Sequence, residues 1–196
     1  MPSSSSERPR ARGNAAERIL ASAAECVGQL GAAQVSLQAV ADSAGVSKAL
    51  IHYHFRDRDE LLARLADWLT VELVQGEEVA LDGAAPQGAL DALWAWLEGE
   101  LARGDVRVLV DLTQVVPESL RLAAQEAAGR RRAAAERTVE TLFSTLSLTP
   151  RVPTAMIAEV LVAFVDGLAV AAARNPERNH RVAFDVFWLA MLSLAE

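Results

Sequence analysis

Apolar side chains in this sequence recur at intervals of three and four, and no long run alternates at two, so the pattern is that of helices rather than strands. Ile19, Ala23, Val27 and Leu30 mark a first helix that Gly31 stops. Ser36 reads as the N-cap of a short second helix through Ser43, ended by Gly45. Ser47 caps a third helix through His54. Asp57 or Asp59 opens a fourth, whose Leu61, Leu62, Leu65, Leu69 and Leu73 carry it to Val79. A linker rich in Gly, Ala and Pro follows, Asp82 to Gly88.

Beyond it, Leu90, Leu93, Trp94, Leu97 and Leu101 define a fifth helix stopped by Gly104, and Val106 to Val116 a short sixth. Pro117 opens a long seventh helix as a first-turn residue, and the pattern continues to Leu146. Pro150 and Pro153 break the chain before two last helices, Thr154 to Arg174 and Arg181 to Leu194. The expected fold is all-α with about nine helices. The apolar stretch Met156 to Ala173 mimics a membrane span, but it carries Glu159 and Asp166. Each charge costs about 2.5–3.5 kcal/mol at mid-bilayer, so a buried soluble helix is expected and no membrane partner.

Composition narrows the class. With 196 residues, 52% of them apolar and 23% charged, the chain is neither disordered, collagenous nor a disulfide scaffold. Cys26 is the single cysteine and cannot form an internal bridge, which suits a reducing compartment, the cytoplasm. The net charge of −7 argues against nucleic acid until it is mapped. Residues 1–56 hold six basic and four acidic groups, and the remainder thirteen and twenty-two. Because screening acts over ~8 Å, a polyanion feels the local patch.

That slightly basic segment contains the most informative stretch, Ser36 to Leu62. Ala41 followed four residues later by Gly45 supplies a small residue where two helices touch and a residue free to take positive φ, as a helix-turn-helix requires. Val40, Val46 and Ile51 form its apolar core. Ser47, Lys48, Ala49, His52 and Tyr53 are left at the start and along one side of the third helix, where base edges would be met. On these residues alone a plain helical hairpin in a bundle stays open. His52 and His54 lie two apart, about 200° around a helix, and His180 is remote, so no metal or other cofactor is expected. Arg8, Arg10 and Arg12 form either a minor-groove arm or a solvated tail. Arg130, Arg131 and Arg132 spread around a helix and read as a solvated face. No Ser/His/Asp set, phosphate loop or metal spacing points to an enzyme.

The stretch RILASAAECVGQLG, then AVADSAGVSKALIHYHF, then RDRDELL resembles the DNA-binding domain of the TetR family of transcriptional regulators, closely from Ala16 to Leu62 and in architecture alone beyond. The resemblance implies a dimer on double-stranded operator DNA, with Ser47, Lys48, Ala49, His52 and Tyr53 meeting the major groove. It places Ser36 and Gln38 against phosphate or a neighbouring base. Arg58 stands where the family usually has Lys, a cation for a phosphate. His52 and His54 replace the usual tyrosines; His52 is expected to donate to a phosphate or read a base, and His54 to pack inward beside Phe55. The implied organisation is an arm over 1–13, a DNA-binding domain over 14–57 and a ligand-binding and dimerisation domain over 58–196.

In the family a ligand cavity lies among the helices of that larger domain. Asp111, Gln114 and Arg121 are the polar candidates for a small-molecule effector, since a buried polar group must find a partner. Trp94, Leu97, Leu109, Phe143 and Phe164 are either its wall or plain core, and Trp96 sits two positions off the apolar stripe. Ala163, Gly167 and Ala171 form a small-residue seam on the penultimate helix, and Phe184, Phe187, Trp188, Met191 and Leu192 a wide stripe on the last. Together they suggest a homodimer through the last two helices, with intrachain burial as the alternative. The expected function is a repressor released from DNA by a small hydrophobic or amphipathic ligand. Its rival is a helical small-molecule-binding or adaptor protein without DNA binding.

Overall fold

The computed structural model describes residues 14–114 and 121–196. The arginines of the expected arm and the helix start at Pro117 lie outside the described residues. Nine α-helices are found among those described, with no strand beyond an isolated bridge between Pro150 and Ala195.

The cap residues act as the sequence dictates. Helix α1 (Ala15–Leu30) starts at Asn14, whose side chain accepts from Glu17 N–H, and ends at Gly31 with φ +82°. Ser36 caps α2 (Leu37–Ala44), and Gly45 closes it in the left-handed region, φ 64°, ψ 35°. Ser47 caps α3 (Lys48–His54). Of the two aspartates, Asp57 caps α4 (Arg58–Leu81), accepting from Glu60 N–H at 2.8 Å. A 3-10 turn over Pro86–Gly88 leads into α5 (Ala89–Arg103), and α6 (Asp105–Gln114) follows Gly104.

Helix α7 (Arg121–Thr145) packs along both α4 and α8 (Thr154–Arg174), and α9 (Arg181–Leu192) closes the bundle. The last helix is two residues shorter than its pattern. The chain leaves it to bond the α7–α8 loop, where Arg151 N–H donates to Leu194 C=O at 2.8 Å and Thr149 exchanges two bonds with Glu196.

One apolar cluster runs through the whole bundle, from Ile19 and Ile51 to Phe184 and Trp188. Helix α4 joins its two ends: Leu61, Leu62, Leu65 and Leu69 are at most 1% exposed, each contributing about 1.5–3 kcal/mol. By length and composition α8 would also span a membrane, yet Ile157, Ala158, Leu161, Val165 and Leu168 on it are core residues here. The expected α9 stripe is corrected in one respect. Phe184, Phe187 and Trp188 are buried within the chain, because their face meets Trp94 and Phe164. The exposed apolar face of α9 is instead Val182, Val186 and Leu189, and the α8 residues Ala163 and Gly167 are exposed too.

Candidate functional site

The α2–α3 turn depends on two small residues. Ala41 is 1% exposed, and its carbonyl accepts from Val46 N–H at 3.0 Å across the turn that Gly45 permits. Ile51 anchors α3 from below, fully buried. With that face fixed, Ser36, Gln38, Ser47, Lys48, Ala49, His52 and Tyr53 are left on the outer side, with Tyr53 80% exposed.

Each polar group there retains hydrogen-bonding capacity. The hydroxyls of Ser36 and Ser47 accept from Ala39 N–H and Leu50 N–H, so their O–H groups remain to donate. Gln38 donates to Asp42 at 2.8 Å with one of its two amide hydrogens. Nδ1 of His52 faces the carbonyl of Arg56 at 3.3 Å. A carbonyl can only accept, so Nδ1 carries the proton and Nε2 of the neutral ring is an acceptor. The expectation that His52 donates to a phosphate therefore holds only for the imidazolium; the neutral ring reads a donor. His54 is half-buried, edge-on to Tyr53 and tilted against Phe55.

Two of the expected site residues bond to the α1–α2 turn instead. Arg58 does not reach outward. Its Nε donates to Val35 C=O at 2.7 Å, a second guanidinium nitrogen donates to Ala32 C=O, and a third lies 3.6 Å from Asp59. Asp111 does not face a cavity: its carboxylate accepts from Ala32 N–H at 3.0 Å. Ala32 is thus gripped at its N–H from α6 and at its C=O from α4. Gln114 and Arg121 are exposed and line no cavity among those found.

The enclosed space lies between α4, α6, α7 and α8. A cavity of about 240 Å³ is walled by Ala66, Leu109, Leu112, Ala127, Arg131 and Asp166, among others. It exists because α7 presents Ala123, Ala124, Ala127 and Ala128 to it, side chains of a single carbon. Beside it lies a second cavity of about 30 Å³, room for one or two waters, bounded by Glu77, Trp96, Leu97 and Phe164. Arg131 and Val162 belong to both walls. Leu97 and Phe164 are therefore cavity residues. Trp94 packs on Phe184 and edges a surface cleft with His180, and Phe143 is core, 2% exposed and touching no cavity found.

Arg131 corrects the reading of the arginine run. Arg130 and Arg132 do face solvent, paired with Asp67 and Glu159, whereas the Arg131 side chain is 10% exposed and donates to Asp166 at 2.5 Å. Its position was legible in the spacing: Ala127, Arg131 and Ala135 lie four apart on the buried stripe of α7. Glu77 is a further buried acid that the pattern contained, midway between the buried Leu73 and Leu81. It accepts from Thr138 Oγ1 at 2.6 Å. Burial pushes its carboxyl up, opposed by the Thr138 hydrogen bond and by the charges of Arg131 and Arg137, and Glu78 pushes the same way as burial. Trp96 Nε1 is buried at the smaller cavity with no hydrogen-bond partner. It is seated against Gly76, where a Cβ would lie 2.6 Å from that nitrogen.

Comparison with known proteins agrees with this geometry. Residues 19–65 match the N-terminal model of the family described as bacterial regulatory proteins, tetR family. Among solved structures, a transcriptional regulator from Rhodococcus sp. Rha1 superposes with a TM-score of 0.73 at 23% identity, covering 93% of this chain and 98% of that one. The TetR family transcriptional regulator PfmR from Thermus thermophilus gives 0.64 at 22% identity, over 89% and 94%. NalD, the secondary repressor of the MexAB-OprM multidrug efflux pump in Pseudomonas aeruginosa, gives 0.62 at 19%, over 92% and 95%. A search of curated proteins gives no match. Residues 19–65 thus carry the N-terminal domain of the family described as bacterial regulatory proteins, tetR family, and the chain as a whole shares the all-α fold of these solved regulators.

Proposed function

We propose that this protein is a cytoplasmic transcriptional repressor that binds operator DNA as a homodimer and leaves it when a small molecule fills the α4–α8 cavity. The observation that carries the reading is the outward-facing set on α2 and α3: seven exposed residues, six of them with free donors or acceptors and one of those an ammonium group, on a helix pair whose opposite face is buried. Lys48, Ser36 and Ser47 suit phosphates; Gln38, His52 and Tyr53 suit base edges, and the methyl of Ala49 suits apolar contact with a thymine methyl group. The segment 14–57 serves as the DNA-binding domain and 58–196 as the sensing and dimerising one.

Dimerisation is supported by the exposed Val182, Val186 and Leu189, spaced at four and three along α9, with Val182 and Val186 sharing a surface groove with Leu168 and Ala171 of α8, whose Ala163 and Gly167 are exposed as well. Two such faces form a four-helix interface. Release by ligand requires that the filled cavity favour a conformation whose recognition helices no longer match the half-sites. Selection of bound sequences from random DNA, followed by footprinting, tests this. The expected footprint has two inverted half-sites with centres ~34–36 Å apart or a multiple of it. A protein that enriches no sequence is not an operator-binding repressor.

A further inference from the structure

The two cavities meet at one ion pair, and that pair is asymmetric. Arg131 is almost wholly buried, with its side chain in both walls, whereas the Asp166 side chain is 32% exposed. Asp166 can turn to water; Arg131 has no such exit. A guanidinium left alone there would be an unpaired buried charge, so whatever displaces Asp166 must itself be an anion.

The remaining polar groups point the same way. Among the described residues, the one buried side-chain atom of these walls without a partner is a donor, Trp96 N–H. The hydroxyl of Thr70 already donates to Ala66 C=O, and that of Thr113 to Val110 C=O. Glu77, the other acid of the walls, is held by Thr138, and its burial biases it toward the neutral form. With Asp166 turned out, the site presents one fixed positive charge and one unused N–H. The rest of both walls is mainly alanine, leucine, valine and phenylalanine.

Resting on the effector reading above, we infer that the effector is a compact apolar monocarboxylate whose carboxylate takes the Arg131 guanidinium in place of Asp166. The guanidinium fork matches a carboxylate through two parallel N–H donors, which neither an alcohol nor an amine can reproduce. The apolar body occupies the 240 Å³ cavity against the alanine face of α7.

Three isosteric probes test the assignment on the full chain by calorimetric titration: 3-phenylpropanoate, 3-phenylpropan-1-ol and 3-phenylpropan-1-amine. The acid is expected to bind at least tenfold tighter than the alcohol, and the amine not at all. In Arg131→Met that preference collapses to parity. In Asp166→Asn, which removes the competing anion, the acid binds several-fold tighter than to the unaltered chain; this variant decides the matter alone should Arg131→Met fail to fold. Equal or tighter binding of the alcohol or amine, no binding of any probe, or an unchanged acid affinity in Asp166→Asn overturns the inference. Operator release separates the two claims. If the alcohol displaces DNA and the acid does not, the effector reading stands and the carboxylate falls; if the acid binds through Arg131 but no operator is bound at all, the reverse holds.

Discussion

Asp111 on α6 accepts a hydrogen bond at 3.0 Å from Ala32 N–H in the turn between α1 and α2, while its neighbours Leu109 and Leu112 wall the larger cavity. A single helix thus touches both the candidate effector space and the turn that leads to the helix-turn-helix. A displacement of α6 would strain or break that bond, which gives the proposed effector response a physical route.

Removing the acceptor leaves the N–H of Ala32, a residue 1% exposed, without a partner. Asp111→Ala is expected to cost about 1–3 kcal/mol in chemical denaturation and to weaken operator binding. Asp111→Asn keeps an acceptor oxygen and should recover most of both. Denaturation midpoints of the alanine variant equal to those of the unaltered chain would show that the bond adds nothing to stability.

Arg58 and Lys48 separate structure from recognition. Arg58 donates to Val35 and Ala32 carbonyls, so Arg58→Ala should lose about 1.5–3 kcal/mol of stability while leaving the salt dependence of DNA binding unchanged. Lys48 is exposed at the start of α3, and Lys48→Ala should leave stability within about 0.5 kcal/mol and reduce the salt slope by about one. Urea unfolding and affinity against salt, measured on both variants, check the pair.

The course of the helices was legible because caps and periods agree: Ser36, Ser47 and Gly45 each sit where their chemistry demands. The outward face of α2 and α3 was legible for the same reason, since residues off the apolar stripe of a short helix have nowhere to go but solvent. The sensing half was less so. Asp111 stands in an apolar run, and that pattern says only that it needs a partner; the partner, Ala32, is 79 residues away. Composition makes the arginine run look uniformly solvated, although Arg131 alone falls on the buried alanine stripe.

Glu77 makes stability depend on pH. Its carboxyl is raised in the folded state, chiefly by burial, so the folded chain holds this proton to higher pH than the unfolded chain. The group's contribution is therefore fullest below the ordinary carboxylate range and is lost as pH rises through its folded value. Glu77→Gln keeps an acceptor for Thr138 and removes the charge. Thermal unfolding should show the variant more stable than the unaltered chain at neutral pH, with the gap closing on acidification. A gap that is constant with pH would refute the role of burial.

The exposed α9 face predicts the oligomeric state. Val186→Glu and Leu189→Glu place a charge in the proposed interface and should shift sedimentation from dimer to monomer with helicity retained. Dimers that persist in both variants would place the interface elsewhere.

The central claim, that α2 and α3 grip operator DNA, is tested most directly by operator affinity against salt. The account predicts that the logarithm of the association constant falls linearly with the logarithm of salt concentration, at a slope of about −0.9 per phosphate neutralised. Lys48→Ala should flatten that slope. An affinity insensitive to salt would contradict the claim.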